Sequence, residues 1–64
     1  MTVTGICVVE RTGGKFTLLD DYEITDINTV RSDDGYTWWL HNQGDGYVGC
    51  SDEHGNEILS FLIE

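Results

Sequence analysis

Cys50 and His54 stand four residues apart, and Cys7 and His41 are the other members of their types that could join them around a zinc ion. Zinc sites are built on paired ligands such as Cys-x2-Cys or His-x3-His, and no such pair occurs, so both thiols read as ordinary buried side chains. A Cys7–Cys50 disulfide is open geometrically if the two strands are neighbours, although a reducing compartment disfavours it. Asp33-Asp34-Gly35, Asp45 and Asp52-Glu53 offer hard oxygen donors without the Asp-x-Asp-x-Asp-Gly loop of a calcium site, and adjacent Asp residues at turns are commonly solvated turn formers. For catalysis, His41 and His54 are the bases that titrate near neutrality. Nothing in the sequence gathers a nucleophile, an orienting acid and an oxyanion donor, and so small a chain has little room for a pocket of about 300–1,000 Å³. No enzymatic activity, cofactor or metal is expected.

The carboxylates remain. Twelve acidic residues against three basic ones give a formal net charge of −9. That exceeds the range of about 2–8 comfortable for a small domain, and one-signed charge opposes compaction. Such a balance disfavours direct contact with nucleic acid or an anionic membrane, and it suits a basic protein partner or a solubility role. Asp20, Asp21, Glu23 and Asp26 form one run, while Asp33, Asp34, Asp52 and Glu53 fall at later turns. On a sheet, alternate residues are about 6.6 Å apart and neighbouring strands about 4.8 Å, a pitch at which carboxylates approximate the charge spacing of a nucleic-acid backbone. Arginines that bind phosphate would pair with carboxylate in much the same bidentate way.

Trp38 and Trp39 are adjacent, so on a strand they face opposite ways. Either one of them is exposed and serves as an anchor for a protein partner, or closure of the sheet buries both. Stacking of bases on an exposed tryptophan would also need a basic surface for the backbone, and this chain has only three Lys and Arg residues in all.

The elements that must hold these residues are short strands. Gly35 to Cys50 contains both tryptophans and two of the three tyrosines, and it reads as two strands about a Gly-Asp-Gly turn, the centre on which the rest closes. Upstream, Val3–Glu10 suits a buried strand. Gly13-Gly14 supplies a short hairpin turn, and Lys15–Leu19 returns as a second strand. Arg11 and Lys15 bracket that turn and so confine two of the cations to one end. Residues 20–34 are ambiguous. A bend at Asp20–Glu23 followed by a strand over Thr25–Ser32 is favoured, with a short helix near residues 20–30 as the alternative, since Ile24, Ile27 and Val30 have helical spacing behind an Asp cap. Asp34-Gly35 is a strong hairpin signal, and strands follow at Tyr36–Asn42, Gly46–Ser51 and Glu57–Ile63. The expected fold is mainly β: a small antiparallel meander of five or six strands, curled into a partial barrel that protects its edges.

Sixty-four residues make a single compact acidic domain, residues 1–64, near the lower limit for unaided folding. The absence of a basic, then apolar, leader, of a bilayer-length apolar run and of a glycosylation sequon points to a cytoplasmic protein. Size, acidity, β-rich compactness and the lack of catalytic motifs together resemble the small DNA-mimic inhibitors that phages direct against host nucleic-acid enzymes, anti-CRISPR proteins among them. The resemblance is one of overall properties across the whole chain, with no shared motif. It implies a protein in the host cytoplasm that occupies a basic DNA-binding or PAM-reading groove and blocks it sterically. The surface expected to do so comprises the eight acids of the two groups above, with Trp38 or Trp39 as an aromatic anchor. The rival expectation is an accessory module that binds through an apolar aromatic patch or a strand edge, its acidity serving solubility alone.

Overall fold

Alternation of apolar and polar side chains, which turns every second residue inward, governs most of the chain. The computed structural model describes residues 2–64. It contains strands β1 (Thr2–Glu10), β2 (Asp21–Thr25), β3 (Thr29–Arg31), β4 (Thr37–Trp39), β5 (His41–Gly44), β6 (Tyr47–Ser51) and β7 (Glu57–Ile63). All pairings are antiparallel, in the order β4-β3-β2-β1-β7-β6-β5. The two edge strands, β4 and β5, are halves of one run interrupted only at Leu40, whose N–H donates to the Asn28 carbonyl at 2.7 Å. The sheet therefore curls into a nearly closed barrel, the expected mainly β architecture, and no helix occurs among the described residues.

Cys7, Phe16, Ile24, Val30, Leu40, Val48, Leu59 and Phe61 fill the interior. Cys7 lies opposite Phe61, and Phe61 opposite Val48, so β1, β7 and β6 share one packed layer. Gly5 belongs to that layer because a Cβ there would lie 2.6 Å from Ile24 Cδ1. Gly49 has no room for a side chain either. Its Cβ would meet the Leu59 carbonyl, and Gln43 crosses over it to accept the Ser60 hydroxyl at 2.7 Å.

Three expectations are corrected. Lys15–Leu19 is not a strand; residues 11–20 form a wide loop, because Phe16 turns inward to close one end of the barrel. It is 3% exposed, with its ring edge-on to Tyr22, Trp38 and Phe61 at 5.2, 5.6 and 5.6 Å. The bend at Asp20–Glu23 and the strand over Thr25–Ser32 are replaced by β2, a turn at 26–28, and β3. Tyr22 and Ile24 face inward, and Asn28 takes the left-handed conformation (φ 60°) that a tight turn needs. The helix near 20–30 is likewise absent, since this alternation buries Ile24 and Val30 opposite one another. The disfavoured Cys7–Cys50 bridge is not formed: β7 runs between their strands, and both thiols are free.

One backbone feature is costly. Leu19 has φ 68°, a conformation that costs a residue with a Cβ about 1–2 kcal/mol.

Candidate functional site

Strand directions decide which loops meet. β1 runs toward the loop 11–20, β3 toward the loop 32–36 and β6 toward the loop 52–56, so all three loops emerge at the same end of the barrel. Asp20, Asp33, Asp34, Asp52 and Glu53 stand on them, and Glu10, Asp21 and Glu57 on the strand ends beneath. That end carries eight of the twelve carboxylates. Glu23 lies instead on the outer side of the barrel, opposite Thr4 on β1, and accepts the Thr2 hydroxyl at 2.8 Å. Asp26 sits in the turn at the opposite end, together with Asp45 and Glu64.

The first two loops are laced together. The Asp33 N–H donates to the Lys15 carbonyl at 2.8 Å. The Asp33 carboxylate accepts the Thr17 hydroxyl at 2.9 Å and the Tyr22 hydroxyl at 2.8 Å. Asp34 accepts the Ser32 hydroxyl and pairs with Lys15 Nζ at 3.0 Å. In the third loop, Asp52 accepts the N–H groups of His54 and Asn56, each at 2.9 Å. These acids shape their own turns, which holds their charges at fixed positions.

The same bonds keep them ionised. The Ser32 hydroxyl, then Lys15, holds the Asp34 carboxyl below its ordinary pKa; the Asn56 N–H does so chiefly for Asp52, and the Thr12 hydroxyl for Glu10. Burial raises the Cys7 thiol, and the charges of Glu10, Asp33 and Asp20 raise it further. Burial also raises Cys50 and Tyr22.

The cations are not segregated from the acids. Arg11 and Lys15 stand on the acid-bearing loop end and Arg31 on the strand end beside it, while the opposite end has no Lys or Arg among the described residues. Eight acids against three cations leave this end negative, on a molecule 31 × 26 × 20 Å across. A 20 Å length of duplex carries about twelve phosphate charges, so the net density here is below half that of DNA.

The two tryptophans face opposite ways. Trp38 is half-buried against Phe16, and Trp39 is 64% exposed on the outer face, across from Thr29. Sequence reasoning missed three other exposed apolar side chains on the loop end: Leu18, Leu19 and Tyr36. Their signal, apolar residues inside turn-rich stretches, was absorbed into expected strands. Two shallow outer grooves of about 290 and 330 Å³ lie elsewhere, and neither is lined by His or Cys. No group of three or more His, Cys, Asp or Glu among the described residues is arranged to hold a metal. The arrangement can present fixed charge and apolar side chains to another macromolecule. No protein-family model matches the sequence, and comparison with curated proteins and with solved structures gives no match.

Proposed function

We propose that this protein is an acidic inhibitor of the DNA-mimic kind, which docks its loop end on the basic nucleic-acid-binding surface of a host defence or DNA-processing protein and excludes DNA sterically. The observation that carries this reading is the gathering of Asp20, Asp33, Asp34, Asp52 and Glu53 on three loops at one end of a stiff barrel. Carboxylates already hydrogen-bonded into their turns need little further ordering on binding, which favours affinity. Their field steers association with a cationic surface and makes it salt-dependent. Because the charge density falls short of that of a duplex, the mimicry is of overall potential and not of phosphate positions.

The test is competition. Labelled duplex bound to a candidate DNA-processing protein should be released by this protein, with the inhibition constant weakening steeply between about 50 and 200 mM salt. Asp20→Asn, Asp21→Asn and Glu53→Gln combined should weaken release about tenfold or more without loss of folding. Release that is indifferent to salt and to those substitutions would eliminate the proposal. A second reading, contact through an aromatic face, is favoured by the exposure of Trp39 at 64%. It predicts loss of binding on Trp39→Ala and little response to salt.

A further inference from the structure

Every left-handed position in the described chain is held by glycine, Asn28 or Asp45, with the single exception of Leu19. Leu19 is doubly out of place. It is the third residue of a turn closed by the Asp20 N–H on the Thr17 carbonyl at 3.2 Å, where a positive φ calls for glycine or asparagine. It is also the first residue of a bulge opposite Cys7. The Leu19 N–H donates to the Cys7 carbonyl at 2.7 Å, and the Cys7 N–H donates to the Asp20 carbonyl at 3.1 Å, the pattern whose first residue is usually glycine. The side chain gains nothing inside the fold in return: Leu19 is 70% exposed and Leu18, at the tip of the same turn, 53%. Apolar side chains are scarce in a domain this small, and although Val3, Ile27, Tyr36, Trp39 and Tyr47 also lie outside its core, none of them takes a left-handed backbone. Two leucines held outside it, one against its own backbone preference, point to a contact made beyond the fold.

What covers them is set by the charges around them. The chain runs from Leu19 directly into Asp20 and Asp21, and Thr17 on the other side of the turn is bound to the Asp33 carboxylate. Any surface closing over the leucines must meet carboxylates on both flanks. A neutral partner would strip those groups of water without pairing them. A second copy would bring −9 against −9. We propose that Leu18–Leu19 is an apolar anchor that enters a slot on the partner protein bordered by lysine and arginine. This rests on the basic-surface reading above and adds to it the residues that supply affinity where charge supplies steering.

Two peptides with the same number of lysines, one all lysine and one alternating lysine with leucine, serve as probes. Binding is followed by amide chemical shifts in isotope-labelled protein at low salt. The alternating peptide should bind the wild type about tenfold tighter, with shifts centred on residues 18–21. Leu19→Gly should abolish that preference, leave the affinity for all-lysine peptide unchanged, and raise the melting temperature by about 4 °C through relief of strain. The anchor is overturned if the wild type shows no preference, if Leu19→Gly retains it, or if Leu19→Gly lowers the melting temperature, which would assign the leucine to the fold. A dimer in sedimentation that Leu19→Gly dissolves would make a second copy the occupant and overturn the proposed partner. Failure of the all-lysine peptide to bind, with the leucine preference intact, would count instead against the acidic-surface reading.

Discussion

The Tyr22 hydroxyl donates to the Asp33 carboxylate at 2.8 Å while accepting the Thr17 N–H at 2.7 Å. One phenol thus joins β2 to two of the three acid-bearing loops, and the ring beneath it packs edge-on against Phe16. Asp33→Ala should lower the unfolding free energy by about 1–2 kcal/mol, and Tyr22→Phe by about 1 kcal/mol. The double substitution should cost less than the sum of the two, with a coupling of about 0.5–1.5 kcal/mol in urea denaturation. Strict additivity would show that the bond contributes nothing to holding the loops.

Glu10, Asp34 and Asp52 titrate below their ordinary values of 4.5 for Glu and 3.8 for Asp. Between folded and unfolded values the unfolded chain binds more protons, so acid favours unfolding. Their contribution is fully present above the unfolded values and is lost as pH falls through the lower folded ones. The melting temperature should therefore fall as pH is lowered below about 4. Carboxyl NMR titration should show Asp34 moving up in Ser32→Ala, since the Ser32 hydroxyl is the largest cause of its shift. An unchanged Asp34 titration in that variant would remove the hydroxyl from the account.

Where periodicity is strict the chain could be read directly. Leu59, Phe61 and Ile63 alternate inward along β7, whose limits are those expected, and Asp34-Gly35 does form a turn, with Gly35 at φ 90°. Residues 20–31 could not be read, because Ile24, Ile27 and Val30 satisfy a helical period as well as a strand one, and only pairing with β1 and β4 decides between them. Phe16 reads as a strand residue in the sequence, because local pattern does not reveal that a loop side chain will plug a barrel. The candidate surface was half legible. The acids announce themselves by number, but whether Asp26 joins Asp33 or lies at the far end depends on strand direction. Leu19 was invisible, since nothing about a leucine announces a position that ordinarily belongs to glycine.

Phe16 carries a heavy load for a loop residue. A domain of this length has about 3–10 kcal/mol of stability in all, and truncating a buried phenylalanine costs about 3–5 kcal/mol. Phe16→Ala should leave the chain largely unfolded at 37 °C, with loss of the sheet signal in circular dichroism. Phe16→Leu, which still fills most of the end of the barrel, should fold with a reduced melting temperature. Cooperative melting of Phe16→Ala near the wild-type temperature would mean that the barrel closes without its plug.

Trp38 and Trp39 allow the two docking modes to be separated by fluorescence. In Trp38→Phe the remaining indole is Trp39, which should be readily quenched by acrylamide and emit at long wavelength, as a side chain 64% exposed must. In Trp39→Phe the remaining Trp38, packed on Phe16 at 5.6 Å, should be protected and blue-shifted. Trp39→Ala should change stability by no more than about 0.5 kcal/mol, whereas Trp38→Ala, losing partial burial in the core, should cost about 2–3 kcal/mol. When a lysine–leucine peptide binds, an anchor at Leu18–Leu19 leaves Trp39 quenching unchanged, because β4 is separated from β1 by β2 and β3. Strong protection of Trp39 on binding, together with loss of affinity in Trp39→Ala, would move the contact to the aromatic face.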